Sequence, residues 1–345
     1  MVGKKLVYYG PGDIRLEEMP QLPECGEGCL LIKVEATAVC GSDVKAYRVG
    51  NPKMLPGRVM GHEFVGRVIE ANNVEGFAIG DRVTMATTIG CGECYYCGLG
   101  KSNLCLQSKA MGFFYDGALA SYVVIPRKAL ENGNVFCVPE DIPAQALALS
   151  EPTSCVLNDL SRIPVNTMST ALVIGLGALG TLHAIVLREF GVGQIIGCDF
   201  PGKKKNLTAE LGFETVTPDE LEEKYLALSD GLGFELVVIT APDNNVQATA
   251  PKYARKGGYV SYFASLPASN EIIAVSSRLL HYNELVFIGT SDSTVEHVKA
   301  AVDVIGRQRD AIAKLVTVMP IDEVRAGIEG VIDMSLAKVV VMPNG

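Results

Sequence analysis

The sequence predicts an α/β protein in two parts, a β-rich domain and a doubly wound domain built on a parallel sheet. Length is the first reason, because 345 residues exceed the roughly 150 of a typical domain and allow two separate cores. Patterning is the second. Short β-type runs separated by Gly, Pro and Asn fill the first part, and from about Ser169 apolar strands alternate with helical stretches. The third is a glycine-rich turn joining one such strand to a helical pattern.

The β-type runs of the first part are KKLVYYG, CLLIKVEATAV, FVGRVIEA, DRVTMAT and ASYVVIP. The alternation then reads ALVIGLG, LGTLHAIVLREFG, QIIGCD, KKNLTAELG, FELVVITAP, VQATAPKYARKGG, GYVSYFA and LVFIGTS. Its helices are expected in the second, fourth and sixth of these. Alternation of this kind implies right-handed crossovers between parallel strands. A helical segment, VEHVKAAVDVIGRQRDAI, and a short strand, AKVVVMP, form a tail that can return to the first domain.

Composition excludes several classes. Hydrophobic residues are 48% and charged residues 20%, which is globular and argues against disorder or a fibrous rod. The 30 basic and 39 acidic residues give a net charge of −9, which opposes a nucleic-acid or anionic-membrane surface. The start, MVGKKLVYYGPGDIRLEE, has no long apolar run and does not read as a secretory signal. The most apolar window, Ala171 to Leu187, is broken by Gly175, Gly177, Gly180 and His183 and does not read as a membrane span. A cytoplasmic protein is therefore expected. In that reducing compartment, clustered cysteines favour metal over disulfides.

The glycine turn is Gly175-Leu-Gly177-Ala178-Leu179-Gly180, between the strand ALVI and a helix. That context suits a dinucleotide pyrophosphate, which needs a tight turn, an unobstructed approach to backbone N–H groups and a helix N-terminus. A second strand ends in Asp199, 19 residues beyond Gly180, where a carboxylate can bond the adenosine ribose hydroxyls and repel a 2′-phosphate. NAD is expected over NADP. Lys203, Lys204 and Lys205 come next and could tolerate an NADP phosphate, with Lys204 the cofactor-binding candidate, although a solvated helix start is the plainer account of all three.

Two metal-type patterns occur in the first part. Cys91, Cys94, Cys97 and Cys105 make C-x2-C-x2-C-x7-C, a set of four thiolates able to close a tetrahedral shell around zinc as a structural site. An iron–sulfur cluster is the other metal reading. Separately, Cys40 in VCGSD, His62 and Glu63 in GHE, and Glu151 in LSEPTS offer one thiolate, one imidazole and carboxylates, with room for an open coordination position.

With the glycine fingerprint and the cysteine loop in this order, the chain resembles the zinc-dependent medium-chain dehydrogenases over essentially its full length. Because Glu151-Pro152 stands where ordinary alcohol dehydrogenases have a second cysteine ligand, it is most similar to the polyol (sorbitol-type) branch. The resemblance implies a GroES-like catalytic domain at residues 1–154 and 292–345, and a Rossmann NAD-binding domain at 155–291. It implies that Cys40 and His62 hold a catalytic zinc, with Glu63 or Glu151 completing the set and Cys155 as an alternative sulfur. It implies hydride transfer between NAD and a secondary alcohol, with Ser42 moving the proton and Asp43 orienting a ligand. Many relatives have histidine where this chain has Lys45, which leaves the outer proton path open.

The expected substrate is a polyol or sugar alcohol. Lys45, Arg48, Lys53 and Arg58 fall in an acid-free stretch, read either as a solvated loop or as a reader of a phosphate or carboxylate on the substrate. Phe113, Phe114 and Tyr115 are candidate pocket walls. The branch's substrate-binding arginine after the last Rossmann strand is missing from FIGTSDS. A threonine-type amino-alcohol dehydrogenase and a simple secondary-alcohol dehydrogenase are the alternatives within the family. A zinc-loop nucleic-acid-binding protein and a metal-free quinone reductase each leave part of the motif set unexplained. By the same resemblance the protein is a homodimer or homotetramer, with LVFIG as a candidate contact.

Overall fold

The structure is a computed structural model that describes residues 2–344. It divides into two compact units, one of residues up to Ser154 together with those from Asp292, the other Cys155–Ser291. The chain passes from the first to the second within the helix Ser150–Leu160.

The first unit is built around Leu30–Ala38, whose side chains are buried except at Lys33 and, in part, Glu35. This strand pairs antiparallel with Glu63–Ala71 along one side. On the other side its beginning meets Tyr122–Ile125 and its end meets the returning tail strand Lys338–Met342. Register then decides what shares an edge. Ala38 is opposite both Glu63 and Val340, so Cys40, His62, Glu63 and Lys338, at or just beyond the strand ends, all fall at one end of the sheet. Apolar clusters fill the unit, among them one around Leu6, Met60, Leu119 and Val339, one around Ile32, Val68, Met85 and Ile125, and a smaller one of Val7, Met19, Val59 and Ala120.

The second unit is a six-stranded parallel sheet in the order Glu214–Val216, Gln194–Cys198, Thr170–Ile174, Phe234–Ile239, Ala254–Tyr262, Val286–Gly289. Numbered along the chain this is 3-2-1-4-5-6, a doubly wound sheet whose order reverses at Thr170–Ile174, the place where such sheets bind ligands. All six residues of Phe234–Ile239 are buried, so the strand is apolar at every position but Glu235, whose carboxylate pairs with Arg255, rather than alternating.

Several local expectations change. The stretch VQATAPKYARKGG is not one helix: the helix is Asn244–Thr249, a 3-10 turn covers Ala250–Tyr253, and Ala254 onward is strand. Pro251 cannot donate a backbone hydrogen bond, and pairing with Phe234–Ile239 draws the residues from Ala254 into the sheet. Lys45 and Arg48 are not in a loop but on the helix Gly41–Val49. The strands Asp13–Met19 and Val316–Pro320 and the helix Val324–Ile332 are additional to the elements expected from the sequence, although Gly10-Pro11-Gly12 before the first and the buried Val324 and Ile328, four residues apart, in the last are local signals for them.

Candidate active site and metal centres

Cys40 caps the helix Gly41–Val49, and the backbone N–H of Cys40 donates to Asp43 Oδ2 at 3.0 Å. This fixes the thiol at the mouth of the helix. His62 and Glu63, buried at 7% and 1% exposure, are delivered by the adjacent strand. The ligand atoms of Cys40, His62 and Glu63 lie within 4.8 Å of one another. Ser42 Oγ stands 3.5 Å from His62 Nε2, and the Phe113 ring is 5.3 Å from the His62 ring.

Charge in this pocket is dense. Burial first, then Glu63, pushes the Cys40 thiol up. Burial alone would lower His62, but the Cys40, Asp43 and Glu151 charges outweigh it and hold the imidazole well above its ordinary value. Asp43, fully buried, is raised by desolvation. The Lys338 ammonium, also buried, lies 2.5 Å from Glu63 Oε2. Nothing in the sequence pointed to Lys338; only the pairing of the tail strand beside Cys40 places it there. Two buried atoms, His62 Nδ1 and Asp43 Oδ1, have no hydrogen-bond partner among the described residues. A soft thiol, an imidazole and carboxylates crowded in this way fit a divalent cation, whose charge would offset the buried anions.

Glu151 sits in the first turn of the helix Ser150–Leu160. Desolvation, together with the lesser effect of the Glu63 charge, raises it to about 7. Its carboxylate is within 4.8 Å of that of Asp292, a second residue that sequence reasoning passed over. Asp292 is half-buried and has φ of 60°, a left-handed conformation uncommon outside glycine. It accepts hydrogen bonds from the Thr88 hydroxyl and from the Ser293 backbone N–H.

The loop cysteines Cys91, Cys94, Cys97 and Cys105 also place their sulfur atoms within 4.8 Å of one another, with Cys91 and Cys97 4.0 Å apart. A tetrahedral zinc with Zn–S near 2.3 Å requires sulfurs about 3.8 Å apart. The backbone N–H of Cys91 donates to Cys105 Sγ and that of Gly92 to Cys97 Sγ, the contacts a thiolate accepts. Backbone N–H groups of Glu93 and Cys94 lower Cys91 to about 7, whereas burial raises Cys97 to about 11. The donor set fits a closed structural zinc.

In the second unit the three glycines have distinct jobs. Gly175 has φ of 96°, and a side chain at Gly180 would put its Cβ 1.8 Å from the Gly175 carbonyl oxygen, so the turn and the helix start pack too closely for any other residue. A Cβ at Gly177 would meet nothing, which leaves open space before the N-terminus of the helix Ala178–Glu189. A cavity of about 180 Å3 adjoins this turn, lined among others by Gly175, Asp199, Phe200 and Tyr253. Asp199 Oδ2 accepts from the Leu176 N–H and Oδ1 from the Phe200 N–H. Lys204, in the first turn of the helix Lys203–Glu210, is not among the lining residues.

Other sequence candidates separate. Arg58 is tied to Asp116 by an ion pair at 2.8 Å, and Lys45, Arg48 and Lys53 are exposed. Phe114 is half-exposed beneath the Lys109 ammonium, while Tyr115 packs edge-on against Phe114.

Residues 26–133 match the family model of the alcohol dehydrogenase GroES-like domain. The chain is 32% identical over 276 residues to an erythritol/L-threitol dehydrogenase of Mycolicibacterium smegmatis, covering 74% of this chain and 75% of that one. It is 30% identical over 263 residues to an L-threonine 3-dehydrogenase of Pyrococcus furiosus, covering 73% and 72%. A solved structure described as a zinc-binding dehydrogenase of Sinorhizobium meliloti, bound to NADP, superimposes with a TM-score of 0.89 at 28% identity over 99% of both chains. The chain belongs to the zinc-type alcohol dehydrogenase family and is an oxidoreductase acting on CH–OH groups. No helix among the described residues is long and apolar enough to cross a membrane.

Proposed function

We propose that the protein transfers hydride between NAD and a secondary alcohol of a polyol or sugar alcohol, giving the ketone. One observation carries this reading: Cys40, His62 and Glu63 converge at one sheet end beside Glu151, a mixed set with a carboxylate where a purely structural site would have a fourth thiol. Cys40 and His62 would hold the catalytic zinc, with Glu63 or Glu151 as the carboxylate ligand, and the four-cysteine loop a structural zinc. When bound, zinc supplies Lewis acidity that lowers the proton affinity of an alcohol oxygen, and NAD supplies the hydride acceptor.

The chain's own residues then have defined tasks. Lys338 holds Glu63 through its ion pair, which supports Glu151 as the carboxylate with more freedom to reach the metal. Asp43 orients Cys40 through its backbone N–H and faces His62 electrostatically. Ser42, beside His62, takes the substrate proton on its hydroxyl and passes its own onward, since a hydroxyl both accepts and donates. Lys45 is exposed three residues further along the same helix and stands toward solvent on that route. Phe113 against the His62 ring gives the pocket an apolar wall.

Gly175, Gly177, Ala178, Leu179 and Gly180 would cradle the cofactor's pyrophosphate, and Asp199, lining the adjoining cavity, its ribose. A carboxylate there repels a 2′-phosphate, which supports NAD; Lys204 would serve only at the phosphate side. The strand Val286–Gly289 pairs on one side only and exposes Val286, which supports a homodimer or homotetramer through that edge. The test is zinc analysis with a reduction screen over polyols, their phosphates, threonine and simple secondary alcohols, using NAD and NADP. About two zinc ions per chain and NAD-dependent polyol oxidation are expected; threonine as the best substrate would move the reading to the amino-alcohol class.

A further inference from the structure

The helix Ala178–Glu189 buries an apolar run, Leu182, Ala184, Ile185, Val186 and Leu187, and His183 is fully buried in the midst of it. An imidazole there costs desolvation that a leucine would not, so its contacts decide what it is for. Its Nδ1 lies 2.7 Å from the carbonyl oxygen of Leu179, one turn back. A carbonyl oxygen only accepts, so Nδ1 carries the hydrogen and donates it. The second ring nitrogen, Nε2, is 3.5 Å from Asp159 Oδ2, a fully buried carboxylate in the last turn of the helix Ser150–Leu160. Asp159 is held in turn, because Ser261 donates its hydroxyl to it at 2.7 Å and Thr290 donates at 2.9 Å. The Phe263 ring meets the imidazole edge-on, with centroids 4.6 Å apart. All five of these residues belong to the second unit.

Leu179 is part of the glycine turn. The backbone N–H of Thr181 makes the first bond inside the helix, to the Gly177 carbonyl, so the Gly180 N–H precedes it and has no partner within the helix. The Leu179 carbonyl and the Gly180 N–H are the two ends of one peptide unit. When that carbonyl accepts the imidazole hydrogen in addition to its helical bond, the peptide polarises and its N–H becomes a stronger donor. We infer that His183 is a positioning residue for the cofactor: its Nδ1–H, with the ring fixed by Asp159, orients the Leu179–Gly180 peptide and strengthens the Gly180 N–H toward the pyrophosphate. The buried carboxylate thereby has a task, since Ser261 and Thr290 anchor Asp159 and Asp159 anchors the ring. The inference rests on the dinucleotide reading of the glycine turn and is indifferent to NAD or NADP, which share that pyrophosphate.

The test measures binding rather than turnover, in the full-length protein loaded with zinc. Dissociation constants for ADP-ribose, adenosine and whichever of NADH and NADPH binds more tightly are compared among the unsubstituted protein, His183→Leu, His183→Asn and Asp159→Asn. Loss of one hydrogen bond behind the donor implies that His183→Leu weakens ADP-ribose and the dinucleotide about 10-fold, while adenosine, which has no pyrophosphate, is unchanged. His183→Asn places an amide N–H where Nδ1 stood and should recover affinity to within about 3-fold of the unsubstituted protein. Asp159→Asn, which keeps the ring but loosens its anchor, should show the same selective loss at about 3-fold, and it carries the comparison if His183→Leu does not fold. An equal loss for adenosine overturns the role in favour of scaffolding, as does a His183→Asn variant no better than His183→Leu. Unchanged affinities in the folded variants overturn it as well. If the unsubstituted protein binds neither a dinucleotide nor ADP-ribose, the cofactor reading itself fails; if it binds them and the variants bind as it does, only the role of His183 fails.

Discussion

The four-cysteine loop and the Cys40 cluster contrast within one unit. Each gathers candidate metal ligands within 4.8 Å, but the loop draws all of them from residues 91–105, whereas the other draws on residues 40, 62 and 63, with Glu151 beside them. The loop is half-exposed except at Cys105, holds its sulfurs with backbone N–H groups and contains no second charge type among its donors. The Cys40 cluster leaves Cys40 half-buried but buries His62 and Glu63, mixes thiol, imidazole and carboxylate, and sets Lys338 against Glu63. A chain segment can close a shell by itself when its donors are alike and close in sequence. A site that must stay open to substrate has to be assembled from separate elements, because a single loop would fold around the metal completely.

Breaking the cluster gives the largest expected effect. If Cys40 and His62 hold the metal as proposed, Cys40→Ser or His62→Ala removes its polarisation of the substrate, worth several kcal/mol, so kcat/KM should fall roughly 10³-fold and zinc content drop by about one ion per chain. Activity retained with one ion lost would assign catalysis elsewhere. Lys338→Met is next. It leaves Glu63 buried without its partner, at a cost of about 3–5 kcal/mol in denaturant unfolding. If Glu63 faces a cation, that cost is smaller in the zinc-loaded protein than after chelation, and equal costs would separate Glu63 from the metal. Cys94→Ser should also lose about one zinc ion, but it should lower the melting temperature more than it lowers the kcat of the folded protein. A kcat loss matching that of Cys40→Ser would erase the distinction between the two sites.

The smallest effect sharpens the loop's chemistry. With Cys91 lowered to about 7 and Cys97 raised to about 11, Cys91 is mostly thiolate at pH 8 while Cys97 remains mostly thiol. After chelation, alkylation at pH 8 should mark Cys91 well before Cys97, the Cys91 rate rising as pH passes through about 7. Zinc should protect both. Cys198, buried and pushed up to about 12, should not react in the folded protein. Equal rates at Cys91 and Cys97 would remove the backbone N–H groups of Glu93 and Cys94 as the cause.

Much of this was legible before any fold was known, for identifiable reasons. The thiols of Cys91, Cys94, Cys97 and Cys105 and the glycines at 175, 177 and 180 act through local spacing and backbone freedom, which are properties of the chain itself. The strand–helix alternation after Ser169 likewise carries its parallel sheet in its own periodicity. The segment Ala254–Gly258 shows the limit, since pairing with Phe234–Ile239 decided there against local helical pattern.

The sequence alone determined the classes of residue available and the local turns that present them, because spacing along a chain fixes which groups can share one loop or one helix end. Only the tertiary structure decided that the tail strand pairs beside Leu30–Ala38 and sets Lys338 on Glu63, and that Asp292 stands beside Glu151. Those placements depend on pairing between segments far apart in the chain, and in the sheet a shift of one residue would turn each side chain to the opposite face.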